Sequence, residues 1–519
     1  MKDLGARRWW AMGALSLAIL AISLDVTVLS VALPTLAGVF KASESQLQWF
    51  VTAYALVLAA AMLPAGLLGD RYGRKTVTIV ALVVFGLGSI ACAYAPTAEA
   101  FIAARVVLGL AGAALVVMAL SLITVLFSEE ERPRAVGIWG AANFVALPLG
   151  PIVGGWIISN AWRGWVFLMN APVALVAIVA VIAFVPQTRS AERPGIDIVG
   201  VIASSGGLGL VMYGLIEAGR NGWGDTSAVI PFVAGVAVLV GFVLWEAWLT
   251  RRPGGEPLVD LGLFRSRSFA WGVILTAIGI FGLSGLLFAL PQYLQAILGT
   301  NAQGAGVRLL PVIAGMVVGA VAADRVAARV GAKFTVAAGF AILAAGLGLG
   351  STMAVASGDG FIAGWTFLVG VGAGLAFATA ASAALVELSA ERSGVGAGLI
   401  QAVTKLGPAF GATNLGSVLN STYQGGLDLA GLPAAAAAAV EKSVFAGLAV
   451  AQELGSSALA DSVRTAFVAG MDDALRVTSV IAVAGIVLTL AFLPGRSARA
   501  AASRSQREGV THELVARGG

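Results

Sequence analysis

The amino-acid sequence predicts an all-α membrane protein with fourteen transmembrane helices, set out as two six-helix bundles and an inserted helix pair. Three observations carry this reading. Of 519 residues, 59% are hydrophobic and only 11% charged, where a soluble domain has about a quarter charged. Apolar stretches of about 20 residues, the helix length that crosses about 30 Å of hydrocarbon, recur from one end to the other. Lys and Arg are dense in every second connecting segment and sparse in the others, the asymmetry that orients membrane helices.

The first span, 12–33, follows Lys2, Arg7 and Arg8. That start imitates a secretory signal, but the run is long, carries Asp25 and lacks a clear cleavage site, so it is read as a retained helix. Spans at 48–68, 76–95, 103–126, 135–158 and 165–185 complete a first unit of six. A pair at 197–217 and 228–249 separates it from six more at 270–292, 305–322, 333–354, 361–386, 395–419 and 474–493. The domains expected are therefore 1–190, 191–255 and 256–495, with 496–519 a polar, disordered tail. With the N-terminus inside, 23 of the 32 basic residues fall in inner segments and 7 in outer ones, while Arg105 and Lys405 lie within spans. A wrong number of spans would scramble this pattern. Both termini are thus expected on the cytoplasmic side of a membrane, and the long segment 421–472 on the outer side. Pro433 ahead of Ala434–Ala439 is a helix-start signal within that segment.

Two stretches repeat. Gly66, Asp70, Arg71, Gly73, Arg74 and Lys75 follow span 2, while Gly319, Asp324, Arg325, Arg329, Gly331 and Lys333 follow span 10. Both come after the second span of a six-span unit, in the same orientation, as in transporters built from parallel repeats.

Several function classes are excluded. The net charge of +5 is too scattered for nucleic-acid binding. Cys92 is the only cysteine, so no intrachain disulfide or cysteine-based metal site is possible, and His512, the only histidine, lies in the tail. A histidine relay and a Ser/His/Asp arrangement are excluded with it, and no Gly-x-x-x-x-Gly-Lys-[Ser/Thr] motif supports direct ATP drive. No enzyme activity, cofactor or metal is expected.

The charges inside the spans are the most informative residues. Asp25 sits mid-span, where a carboxylate costs about 2.5–3.5 kcal/mol on insertion scales and so marks an ion or substrate path. Arg105, within span 4, is equally costly alone. Asp25 is its most economical partner; a guanidinium snorkelling to water is the alternative. In the loop after span 2, Gly66 and Gly73 permit close approach and a tight turn, and Asp70 can accept from a neighbouring helix end. In span 5, Gly150, Pro151, Gly154 and Gly155 combine small residues that let helices approach with a proline that bends one.

These motifs, with Leu24-Asp25-Val26-Thr27 through Pro34, Trp162 to Pro172 and Pro257 to Phe269, resemble the fourteen-helix drug:proton antiporter branch of the major facilitator superfamily over nearly the whole chain. Ser30 and Leu108 depart from its pattern, where Asn and Gln are usual. The resemblance implies a major facilitator fold and a proton-driven antiporter that exports small amphipathic or lipophilic compounds by alternating access, without a cofactor beyond the proton gradient. It implies Asp25 as the proton carrier paired with Arg105, and Gly66, Asp70, Arg71, Gly73 and Arg74 as a conformational latch. Gly150, Pro151, Gly154 and Gly155 would be the antiporter helix motif. A dedicated metabolite or lipid exporter, a proton-coupled importer and a non-transporting scaffold are the alternatives.

A pocket between the bundles would draw on Tyr54, Asn143, Phe281, Phe288, Phe377 and Asn414. Lys405 reads equally as a gate or a snorkelling residue. Apart from Glu387 at a span end, spans 9–14 hold no central acid, which favours neutral or monocationic substrates. The partners expected are a small-molecule substrate, protons and the bilayer, with no nucleic acid. The working unit expected is a monomer in a bacterial inner (cytoplasmic) membrane.

Overall fold

The computed structural model describes residues 5–42, 44–128, 130–188, 195–253, 255–355, 357–386, 388 and 393–495. The tail 496–519, His512 within it, Glu387 and several inner basic residues (Lys2, Arg189, Arg193, Arg392) lie outside that set. Among the described residues the chain forms nineteen α-helices and no strand. The first unit is α1 Gly5–Phe40, α2 Glu44–Ala60, α3 Met62–Tyr72, α4 Arg74–Ala93, α5 Ala98–Leu126, α6 Arg132–Asn160, α7 Trp165–Leu168 and α8 Asn170–Phe184. A hairpin of α9 Ile198–Asn221 and α10 Thr226–Arg251 follows. The last unit is α11 Arg267–Gln292, α12 Ala302–Arg308, α13 Leu310–Val330, α14 Ala332–Gly350, α15 Asp359–Val386, α16 Ser393–Gly425, α17 Ala434–Lys442, α18 Val444–Glu453 and α19 Ser457–Phe492.

The expected fourteen spans are not reproduced by length and apolarity alone. Among the described residues, eleven helices are long and apolar enough to cross a membrane, or twelve if α2 and α3 count as one bent span. The 50° bend between those two has a local cause: Pro64 has no N–H and its ring crowds the Ala60 carbonyl. The expected thirteenth span is α16, 33 residues long, which falls short because Gln401, Thr404, Lys405, Thr413 and Asn414 interrupt its apolar run. The expected fifth lies in α6, 29 residues long, several of whose side chains, Pro151 among them, are outside the described set.

Burial follows the two units. One large apolar core is built mainly from α1 to α8 with the first turns of α16, the other from α11 to α19. The segment expected as an external loop is a compact helical cap: Pro433 precedes α17, Tyr423 Oη donates to the Val440 carbonyl at 2.8 Å, and α19 begins at Ser457 rather than near 474. The inserted hairpin is not peripheral. Its α9 stands between α2 and α16: Thr413 Oγ1 donates to the Leu215 carbonyl at 2.9 Å, and Arg220 donates to Gln48 Oε1 at 3.2 Å and Thr52 Oγ1 at 3.1 Å.

Candidate functional site

Two sites share α1. The first is a charge centre on the side of α1 that faces α5 and α8. Asp25 and Arg105, each 1% exposed, form an ion pair. Asn170 Nδ2 donates to the second carboxylate oxygen at 3.1 Å, and Arg105 Nε donates to the Phe50 carbonyl at 3.0 Å. The guanidinium also lies 4.5 Å from the Tyr54 ring centroid. Buried charges persist when the partner and the remaining hydrogen-bonding capacity are supplied together, and these five residues supply them. Two glycines of α5 allow the close approach of α2: a Cβ at Gly109 would lie 2.8 Å from the Tyr54 carbonyl, and one at Gly112 2.9 Å from its hydroxyl.

The opposite side of α1 forms part of the wall of a cavity of about 450 Å³ between the two units. Ser23, Val26 and Thr27 of α1, Trp139 and Asn143 of α6, Ser284 and Phe288 of α11, Phe377 of α15, and Gln401, Thr404 and Lys405 of α16 line it. Asp25 does not. Carboxylate and cavity are therefore separated by the thickness of α1, and that helix is tied to α6 by Ser23 Oγ donating to Asn143 Oδ1 and Thr27 Oγ1 donating to the Ala146 carbonyl, both at 3.0 Å. Gly150 and Gly154 of α6 make this seam possible. A Cβ at Gly150 would collide with Thr27, and one at Gly154 would lie 2.7 Å from Val28 Cγ1, whereas Gly155 faces open space.

A third arrangement joins the two units at the face that carries the start of α1 and the α3–α4 turn. Asp70, 1% exposed, accepts from Arg74 Nη2 at 2.6 Å and from the Gly394 and Val395 N–H groups at 2.9 Å each. Those two N–H groups belong to the first turn of α16, where donors lack partners within the helix and favour a carboxylate. Gly66 lies against Gly394 too closely to admit a side chain. Gly73, at φ +101°, makes the turn into α4, and the Arg74 N–H donates to the Thr188 carbonyl at 2.9 Å. Arg71 lies over Tyr72, 5.8 Å from the ring centroid. Ser121 and Ser393 add a hydroxyl pair at 2.9 Å across the same junction. In the second repeat Gly331 makes the matching turn at φ +88°, but among the described residues Asp324 accepts from the adjacent Arg325 N–H and not from an opposing helix.

The six expected pocket residues divide. Asn143, Phe288 and Phe377 line the central cavity. Tyr54 belongs to the charge centre because its side of α2 is turned to α5. Phe281 lines a separate apolar crevice with Phe410 and Ile481, and Asn414 turns back to donate to the Phe410 carbonyl at 2.8 Å. Sequence reasoning missed Trp139, Ser284, Gln401 and Thr404, and assigned Asn170 to the scaffold. A signal was present for α16, since 401, 404, 405, 408 and 412 fall on one helical stripe, and all five line the cavity.

The family model described as Major Facilitator Superfamily matches residues 15–412. The chain is 31% identical over 505 residues to the tetracenomycin C resistance and export protein of Streptomyces glaucescens, covering 94% of this chain and 92% of that protein. It is 30% identical over 499 residues to the multidrug efflux pump LfrA of Mycolicibacterium smegmatis, covering 94% and 96%. Among solved structures, the MFS proton:xylose symporter XylE superposes with a TM-score of 0.59 at 14% identity, over 95% of this chain and 97% of that one, a likeness of fold.

Proposed function

The chain belongs to the Major Facilitator Superfamily, and from that premise we propose that it is a proton-driven antiporter exporting small amphipathic or lipophilic compounds across a bacterial cytoplasmic membrane. Export of drugs and antibiotics is the activity named for its relatives. The observation that carries the proton-coupled reading is the position of Asp25: a buried carboxylate on one side of the helix whose other side lines the cavity.

With the basic face taken as cytoplasmic, Asp70 and the first turn of α16 hold the inner ends of the units together, and the cavity is reached from the other side. The Asp25–Arg105 ion pair is the deprotonated state. A proton arriving from outside neutralises the carboxylate and removes the attraction that fixes α1 against α5. Substrate leaves outward, the units rock, and the proton is lost inward as Arg105 and Asn170 re-form their contacts. The latch residues Gly66, Asp70, Arg71, Gly73 and Arg74 act on the rocking, while Gly150 and Gly154 of α6 set how closely α1 can follow.

The test is efflux from proteoliposomes across a panel of dyes and antibiotics, with and without an imposed proton gradient, for wild type and Asp25→Asn. Gradient-driven export in wild type and its loss in the variant is the expected result. Equal, gradient-dependent export in both would remove Asp25 from the mechanism.

A further inference from the structure

We propose that the central cavity takes planar aromatic compounds in anionic form, such as phenolates and carboxylates, with the Lys405 ammonium as their counter-ion. This rests on the export reading and names its substrate class. Lys405 lines the cavity and, among the described residues, has no hydrogen-bond or ion-pair partner, while no carboxylate is among the lining residues. The one acid nearby on α1, Asp25, is turned away and committed to Arg105 and Asn170. An ammonium set in a mostly apolar wall is costly until a counter-charge arrives. A bound anion supplies it, and a cation is repelled.

Two further features fit the same ligand. Trp139 stacks nearly parallel to Phe377, ring centroids 6.2 Å apart at 11°, giving the cavity a flat aromatic wall. Among the described residues, Trp139 Nε1 and Gln401 Oε1, on residues 4% and 1% exposed, are left without hydrogen-bond partners, so a donor and an acceptor remain for the polar groups of a polycyclic ring system. The adjoining cavity of about 510 Å³ shares Phe288 and Ala412 with the first and lies beneath the helical cap. Arg220, ion-paired with Glu217 at 3.1 Å, and Lys442 line it, and no carboxylate is among its lining residues, so the lining itself adds no negative charge along the way out. On the sequence, the absence of a second central acid in spans 9–14 favours neutral or monocationic substrates; the lining, with Lys405 and no carboxylate, selects against monocations.

The test uses one planar tricyclic skeleton in three charge states: fluorescein, anionic at neutral pH, its neutral ether ester, and a cationic rhodamine ester. Equilibrium binding to the purified full-length protein is read by fluorescence anisotropy, and transport in proteoliposomes under a proton gradient. Wild type should bind the anion about ten- to a hundredfold tighter than the other two, the range set by a hydrogen bond to a charged group. Lys405→Gln should bring the anion down to the level of the neutral ester, and Lys405→Arg should keep the preference. Wild-type preference for the cation or the neutral ester overturns the proposal without any variant, as does an unchanged preference in Lys405→Gln. Transport of the rhodamine ester as well as fluorescein leaves the export reading standing and this proposal refuted. Transport of none of the three overturns both.

Discussion

Asp70→Asn isolates the bond between the two units from the chemistry of transport. The substitution keeps the size of the side chain and one acceptor oxygen, but places an amide N–H₂ against one of the two α16 donors that now lie 2.9 Å from a carboxylate. The Arg74–Asp70 ion pair is weakened as well, yet both residues lie on the same unit, so that loss weighs equally on both conformations and leaves the equilibrium between them unchanged. What differs between conformations is the pair of α16 contacts. A hydrogen bond to a charged group contributes about 1.5–3 kcal/mol, and the helix terminus adds to it when buried, so closure of this face should weaken by about 2–3 kcal/mol. At about 1.4 kcal/mol per tenfold, the closed-to-open ratio should fall roughly 30- to 150-fold. Spin labels at Tyr72→Cys and Val330→Cys, both exposed positions on this face, report the separation of the units by pulsed electron resonance. Cys92 is buried and stays in place. The short-distance population of the parent should shrink in Asp70→Asn, with helical circular dichroism unchanged. Superimposable distance distributions in a folded variant would refute the latch.

Asp25→Asn should insert and fold, retain equilibrium substrate binding and show no substrate-dependent proton release, measured with a pH indicator in detergent. Arg105→Leu should lose about 3–5 kcal/mol of stability because it strands a buried carboxylate, and Asp25→Asn/Arg105→Leu should recover part of that in thermal melts; additive losses would mean that the two side chains do not act as a pair. Gly150→Val should destabilise by about 1–3 kcal/mol through overpacking against Thr27. Gly155→Ala, with nothing within 4 Å of the added carbon, should leave the melting temperature and transport unchanged.

The parts of this molecule that were legible in the sequence are those fixed by the cost of charge in hydrocarbon. Asp25 and Arg105 announce themselves because neither is tolerable alone in a membrane, and the alternation of basic residues locates the helix ends. The cavity was only half legible. Aromatic residues occur on every face of apolar helices, so type and depth could not separate Phe288, which lines the cavity, from Phe281, seven residues earlier on the same helix but turned to another crevice. Tyr54 was drawn into the wrong group for a similar reason: which side of α2 meets α5 depends on Gly109 and Gly112, a packing fact with no periodic signature. Asn170 was hidden in a stretch, 162–172, read as scaffold for its tryptophans. The helix expected at 395–419 is present as α16, but the residues that make it a cavity wall are the ones that leave it too polar to count as a span by apolarity alone.

The separation of Asp25 from the cavity constrains how coupling can work. A substrate and a proton that competed for the same carboxylate would exclude one another by contact, but here α1 stands between them, with Asp25 on one side and Ser23, Val26 and Thr27 on the other. Coupling must then pass through the placement of α1 itself, which Arg105 and Asn170 bias from one side and Asn143 and the Ala146 carbonyl from the other. Linkage makes that bias reciprocal: if protonation weakens substrate binding by some factor, bound substrate weakens protonation by the same factor. Antiport therefore follows without the two ligands touching, and it requires that α1 answer both sides as one rigid element. The glycines of α6 that let it lie close to α1 serve that requirement, since a looser seam would let each side relax alone and the two fluxes would uncouple.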